Sequence, residues 1–150
     1  MAYDIKVLKK LREETQASVS DIKTALEESK GDYEKALAWL SKHGIEKAGK
    51  KEGRVTHAGI VETYIHHNLI SGTTVVLTCE TDFVGRTGEF KNLAHEIAMQ
   101  VNATNPKDVK ALMSSPYIRD EKKTVQDFIK EHIAKLGENI EVKDFKRFEV

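Results

Sequence analysis

Thr73-Thr74-Val75-Val76-Leu77-Thr78-Cys79-Glu80-Thr81-Asp82-Phe83-Val84-Gly85-Arg86-Thr87-Gly88-Glu89-Phe90 is the stretch on which the fold turns. Residues 73–81 are rich in β-branched side chains and read as a strand. From Phe90 the period changes. Phe90, Leu93, Ala94, Ile97, Ala98 and Val101 recur at i, i+3, i+4, i+7, i+8 and i+11, the pattern of an amphipathic helix. Thr81, Asp82, Phe83 and Val84 therefore sit on a tight corner between strand and helix. A strand feeding a helix this closely predicts a sheet with helices packed on it.

Before this stretch, Ile60, Glu62, Tyr64 and His66 alternate with Val61, Thr63, Ile65 and His67. Residues 68–72 give a turn, so 60–67 and 73–81 form a hairpin. After it, Asn105-Pro106 breaks the helix, a weaker helix covers 108–113, and Ser114-Ser115-Pro116 reads as loop. Thr124-Val125-Gln126-Asp127 is a capping box opening a helix with Val125, Phe128, Ile129, Ile133 and Leu136 on one side, closed by Gly137. Residues 140–150 read as a last strand, with Lys146 interrupting its apolar face. Residues 58–150 thus form an α+β core: a three-stranded antiparallel sheet packed with helices. Helices cover one sheet face and leave the other to solvent or a partner.

The first third reads as a three-helix bundle over residues 1–44. Ile5, Leu8 and Leu11 follow a cap at Asp4. Ser18-Val19-Ser20-Asp21 fits a capping box ahead of Ile22, Ala25 and Leu26. Gly31 stops that helix and Asp32 caps the next, which carries Tyr33, Ala36, Leu37, Trp39 and Leu40 and ends at Gly44. Residues 45–57 are basic and poor in apolar side chains, and read as a linker with a partly helical start.

Lys plus Arg and Asp plus Glu are 24 each in 150 residues, a neutral balance that argues against general nucleic-acid binding. The one cysteine, Cys79, excludes an internal disulfide. No apolar run approaches the roughly 20 residues that span a bilayer. Met1-Ala2-Tyr3-Asp4 leads into a helical pattern, without an apolar signal core or an Arg/Ser-rich transit stretch. The expectation is a cytoplasmic protein, or an organellar one in mature form, without membrane attachment.

Signals that resemble enzymes fail on their own chemistry. Gly44-Ile45-Glu46-Lys47-Ala48-Gly49-Lys50-Lys51 is close to a phosphate loop, but Lys51 stands where magnesium needs Ser or Thr, and a helix precedes it where a buried strand is required. His95-Glu96-Ile97-Ala98-Met99 lacks the second histidine of a zinc helix. His66 and His67, adjacent on a strand, are expected to face opposite ways. Cys79 lies inside an apolar strand and reads as a buried structural thiol. Glu80 and Asp82, two apart at a strand end, can face one side but have no catalytic company. No catalytic residue, metal ligand or cofactor is expected.

Three stretches carry a family pattern. They are Leu11-Arg12-Glu13-Glu14-Thr15-Gln16-Ala17-Ser18-Val19-Ser20-Asp21-Ile22-Lys23-Thr24-Ala25-Leu26 with Gly31-Asp32-Tyr33-Glu34-Lys35-Ala36, then Glu80-Thr81-Asp82-Phe83-Val84, then Ile133-Ala134-Lys135-Leu136-Gly137-Glu138-Asn139-Ile140 running to Arg147-Phe148-Glu149-Val150. In this order they resemble elongation factor Ts over nearly the whole chain. The resemblance implies a bundle similar to ubiquitin-associated domains (UBA-like), and a protein that binds elongation factor Tu and speeds its release of GDP without acting as an enzyme. It implies that Thr81, Asp82, Phe83 and Val84 form the tip that disturbs the partner's Mg²⁺ site. Phe83 would be the anchor, and Asp82 would either hold the corner or perturb the cation's shell. Arg12 and Val19 correspond to partner-facing positions on the N-terminal module, although a solvated Arg and a core Val read equally well from the residues alone.

The chain departs from the family pattern in four places. Gln16 stands where Gly is common and Val19 where a longer apolar residue is frequent. Gly85 and Gly88 follow the tip and are expected to loosen it. Residues 105–124 are short, where longer members carry a second sheet-containing half. Short members resembling this chain form homodimers, so the uncovered sheet face is expected to pair two copies. Two other readings compete. One is a ubiquitin-like-protein binding adaptor built on the bundle alone. The other is a nucleic-acid binder using Lys47, Lys50, Lys51 and Arg54.

Overall fold

The computed structural model describes residues 4–150. The expectation for Met1-Ala2-Tyr3 lies outside the described residues. Three helices open the chain: α1 (Ile5–Thr15), α2 (Val19–Glu28) and α3 (Tyr33–Gly49). Their caps are those the spacing predicts. Asp4 accepts from the Lys6 amide, Ser18 from Asp21 and Asp32 from Lys35. The reciprocal half of the box at Ser18 differs, because the Asp21 carboxylate takes the Ser18 hydroxyl at 2.7 Å. Leu11, Ile22, Ala25, Leu26, Ala36 and Leu40 form the bundle's buried core. Ile5, although in phase, is exposed.

The position of Gln16 shows why Gly suits it in the family pattern. It caps α1 with φ 54°, in the left-handed region. Glycine enters that region freely, whereas a side chain costs about 1–2 kcal/mol there.

Gly44 does not end α3. The helix runs on to Gly49, so the bundle's third helix takes in the first part of the segment read as a linker. Tertiary packing supplies the reason. A Cβ on Gly44 would lie 3.2 Å from Ala134 Cβ, so the missing side chain lets α3 approach α7 (Val125–Leu136). Ala48, one turn further, is buried in the second core.

That core lies between a three-stranded antiparallel sheet and the remaining helices. The sheet has order β1-β2-β5, from β1 (Ala58–Ile65), β2 (Ser71–Cys79) and β5 (Ile140–Glu149). Val75, Leu77, Cys79, Ile140 and Val142 face inward against Phe90, Leu93, Ile97 and Val101 of α5 (Gly88–Thr104) and Ile129 and Ile133 of α7. A register shift between Val76 and Leu77 leaves Lys143 as an extra residue in β5. It changes the phase of that strand. Val142 and Phe145 both turn to the core side, and Lys146 falls on the uncovered face rather than interrupting the apolar one.

Two further pieces complete the chain. Asp108 caps the short α6 (Val109–Ser114). Of the segment 114–116, read as loop, Ser114 ends α6 and Ser115 is the connection, while Pro116 enters a second sheet, where β3 (Pro116–Tyr117) pairs with β4 (Asp120–Thr124). The buried Gln100 side chain holds this hairpin. It donates to the Pro116 carbonyl at 3.0 Å and accepts from the Ile118 amide at 2.9 Å. The capping box at Thr124 and Asp127 forms in both directions.

Candidate functional site

At the end of β2 the chain turns through a single helical turn, α4 (Asp82–Gly85), before α5. Thr81 caps α4, and Thr87 caps α5 while donating its hydroxyl to the Val84 carbonyl at 2.8 Å. Val84 packs against the core and Gly85 is buried. Asp82 and Arg86 form an exposed ion pair at 3.2 Å. Phe83 points away from all of this and is 83% exposed. The corner expected from sequence is thus a short helix with an unburied aromatic at its apex. Phe83 is therefore not part of the core.

The far end of the chain braces this corner. The Glu138 carboxylate accepts the Thr81 amide at 2.9 Å and the Thr81 hydroxyl at 2.7 Å. The Asn139 amide donates to Glu80 at 2.8 Å, and Arg54 approaches the same Glu80 oxygen at 3.6 Å. Glu80 and Asp82 therefore serve different partners and do not form a carboxylate pair. Gly85 does not loosen the corner, because it packs beside Cys79 and Gly59. Sequence reading missed Glu138 and Asn139 as contributors to the site, although the third family stretch contains them. Their partners stand 57 and 59 residues away, beyond the reach of any local pattern.

Cys79 is buried behind the tip with its thiol directed to the Thr81 carbonyl at 3.1 Å. Burial pushes its pKa up, which opposes thiolate chemistry. His66 and His67 do not face opposite ways. β1 ends at Ile65, the chain enters the turn, and the two rings come within 4.2 Å. Among the described residues, no three His, Cys, Asp or Glu side chains are grouped so as to hold a metal ion. No helix among them is long and apolar enough to cross a membrane.

Arg12 and Val19 are both exposed on the bundle, at the end of α1 and the start of α2. Val19 is not part of the bundle core. The near-miss phosphate loop is helical through Gly49, and Lys47, Lys50 and Lys51 line a cleft of about 780 Å³ between the bundle and α7. Lys47 is neutralised there by Asp21 at 2.8 Å, and this hydrogen bond is the main cause holding the Asp21 pKa below its usual value.

The uncovered sheet face is apolar at one end, where Ile65 and Phe148 flank Gly72 and are 61% and 59% exposed, and Val61, 65% exposed, lies two rows away. Glu141 lies in the row of Gly59 and Thr78, Asp144 in the row of Val61 and Val76, and Lys146 in the row of Thr63 and Thr74, so this face carries two carboxylates and one ammonium group in these rows.

Fold and site together define a class: an α+β chain that presents a helical bundle and a braced corner bearing an exposed aromatic. The family profile described as Elongation factor TS matches residues 80–150. The chain is 39% identical over 193 positions to the elongation factor Ts of Thermotoga neapolitana, covering 100% of this chain and 98% of that protein. It is 38% identical to that of Thermoanaerobacter sp. (strain X514), over 95% of this chain and 92% of the relative. It is also 38% identical to that of Synechococcus sp. (strain JA-3-3Ab), over 99% and 69%. This chain belongs to the elongation factor Ts family of translation elongation factors. The Thermotoga alignment runs over 193 positions while the chain has 150 residues, so the relative carries residues that this chain lacks.

Proposed function

We propose that this chain is a guanine-nucleotide exchange factor that binds elongation factor Tu and releases GDP by disturbing its Mg²⁺ site. The observation that carries the reading is Phe83, 83% exposed on a corner braced by the distant Glu138 carboxylate at Thr81 and by the Thr87 hydroxyl at Val84. An exposed phenyl ring on a fixed support is a binding anchor, worth on the order of 1.5–3 kcal/mol once buried in a partner pocket. GDP in such a partner is held by a phosphate loop and by Mg²⁺ bridging protein and phosphate oxygens. Magnesium demands near-octahedral geometry at short distances, so a small displacement of its ligands removes much of its hold. Thr81, Asp82, Phe83 and Val84 supply that displacement mechanically and electrostatically. The effect is reciprocal, since a factor that weakens GDP is itself weakened by GDP to the same degree.

Arg12 and Val19 make a second contact with the partner. The uncovered sheet face pairs two copies of the chain, and its charges support this. Asp144 and Lys146 lie in adjacent rows of this face, so a two-fold axis passing between them would set Asp144 of one copy opposite Lys146 of the other, the self-complementarity an isologous interface requires. The protein works where translation does, in the cytoplasm or its organellar equivalent, and needs neither nucleic acid nor membrane. The decisive experiment is release of fluorescent GDP from elongation factor Tu with and without the chain. Acceleration supports the proposal, and release at the spontaneous rate sinks it.

A further inference from the structure

We propose that Glu138 is a positioning residue for the tip, setting the angle at which Phe83 is presented; this rests on the reading of the tip given above. Phe83 has almost no packing of its own, so only the turn of α4 orients it. One helical turn does not sustain itself, because fixing its dihedrals yields too few hydrogen bonds. The turn depends on its cap, Thr81. The cap bond from the Val84 amide is long at 3.5 Å, and the Thr81 hydroxyl is held from outside by Glu138.

Glu138 takes both Thr81 donors, one on each carboxylate oxygen. The bond in the opposite direction, from the Asn139 amide to Glu80, pins the preceding residue. Glu80 before the tip and Thr81 at its start are thereby tied to two consecutive residues of the α7–β5 loop. That loop is fixed in turn. Gly137 closes α7 with φ 81°, and Lys135 on the last turn of α7 is paired with Glu89 on α5. A tip ordered before binding loses less freedom when it binds, so the hold of Glu138 acts on the partner only through Phe83.

The experiment uses the full chain as wild type, Glu138→Gln, Glu138→Ala, Phe83→Ala and the Glu138→Ala/Phe83→Ala double variant. Two quantities are measured: fluorescent GDP release from elongation factor Tu, and amide hydrogen exchange of the free protein. Glu138→Ala is expected to lower the acceleration of GDP release by on the order of tenfold, the scale of a lost charge-assisted hydrogen bond. Glu138→Gln, which keeps one acceptor oxygen, falls between it and the wild type. The double variant is no slower than Phe83→Ala alone. The Thr81 amide of Glu138→Ala exchanges faster, also by on the order of tenfold, while core amides of β2 and α5 keep their protection. A double variant slower than Phe83→Ala by the full Glu138→Ala factor overturns the proposal, as does unchanged exchange at Thr81. If Phe83→Ala releases GDP like the wild type, the reading of the tip is what fails. Thr81 exchange in Glu138→Ala then decides alone whether Glu138 positions the corner.

Discussion

Gly59 on β1 lies so close to Leu77 on β2 that a Cβ on Gly59 would fall 2.2 Å from the Leu77 carbonyl oxygen. Its φ of 151° is also one that side chains rarely adopt. Gly59→Ala is therefore expected to destabilise the core domain by at least about 2 kcal/mol, read as a lower denaturation midpoint. Gly85→Ala is the control. Its Cβ would meet Cys79 and Gly59 at 3.5–3.7 Å, ordinary contact distances, and the change should stay within about 0.5 kcal/mol. If Gly59→Ala melts like the wild type, the strand crowding described here is wrong.

Phe83→Ala separates binding from folding. The ring is 83% exposed, so its loss should alter stability by less than about 0.5 kcal/mol. It should nevertheless remove most of the acceleration of GDP release from elongation factor Tu, with a loss of about 1.5–3 kcal/mol in interaction with the nucleotide-free partner. Thermal melting and stopped-flow release measure the two effects independently.

Gln100 is buried and serves both the Pro116 carbonyl and the Ile118 amide. Gln100→Leu leaves those backbone groups without partners at the α5 surface, for an expected cost of about 1–3 kcal/mol. Amide exchange should localise the damage to the β3–β4 hairpin, where Ile118 in the turn loses protection, rather than to the main sheet.

Asp21 gives the bundle an acid-sensitive clasp. Its pKa lies below the usual 3.8, chiefly through the hydrogen bond from Lys47. Because the folded value is depressed, the carboxylate's contribution is complete above about pH 4 and is lost as the pH falls through the lowered value. The pair is partly exposed, so the contribution stays below about 1 kcal/mol. Trp39 reports on it, because its ring stacks on His43 at 4.6 Å and His43 approaches Asp21 at 3.9 Å. Tryptophan fluorescence of the wild type should show more acid loss of bundle stability below pH 4 than that of Asp21→Asn. Coinciding acid limbs would remove Asp21 from that role.

Pairing of two copies through the uncovered sheet face makes a charge prediction. Ile65→Lys and Phe148→Lys each place a cation in the exposed apolar end of that face and should shift sedimentation toward the monomer at tens of micromolar. Neither should unfold the chain, since both side chains are already more than half exposed. A wild type that sediments as a monomer at that concentration would refute the dimer itself.

Much of this fold was legible in the residues because its signals are local. The apolar period of α5, the alternation in β1, and the caps at Asp4, Ser18, Asp32 and Thr124 all act within a few residues of themselves. The corner at 81–84 was legible for the same reason, since a strand pattern stops and a helix pattern begins on either side of it. Whether Phe83 belonged to the core or to the surface was not legible, because one aromatic between two elements fits both.

What the sequence by itself determined is the order of elements, the α+β class and the place of the tip. Tertiary structure decided the rest. α3 passes through Gly44 because Ala134 packs against the space where a side chain would be. Lys146 leaves the core side because a bulge at Lys143 shifts the phase of β5. The tip is braced because Glu138 arrives beside Thr81 from 57 residues away. Helix caps and hydrophobic periods are set by neighbours along the chain. Close helix contacts, strand register and the bracing of a corner depend on which distant segments meet in space, and that is settled only when the two cores close.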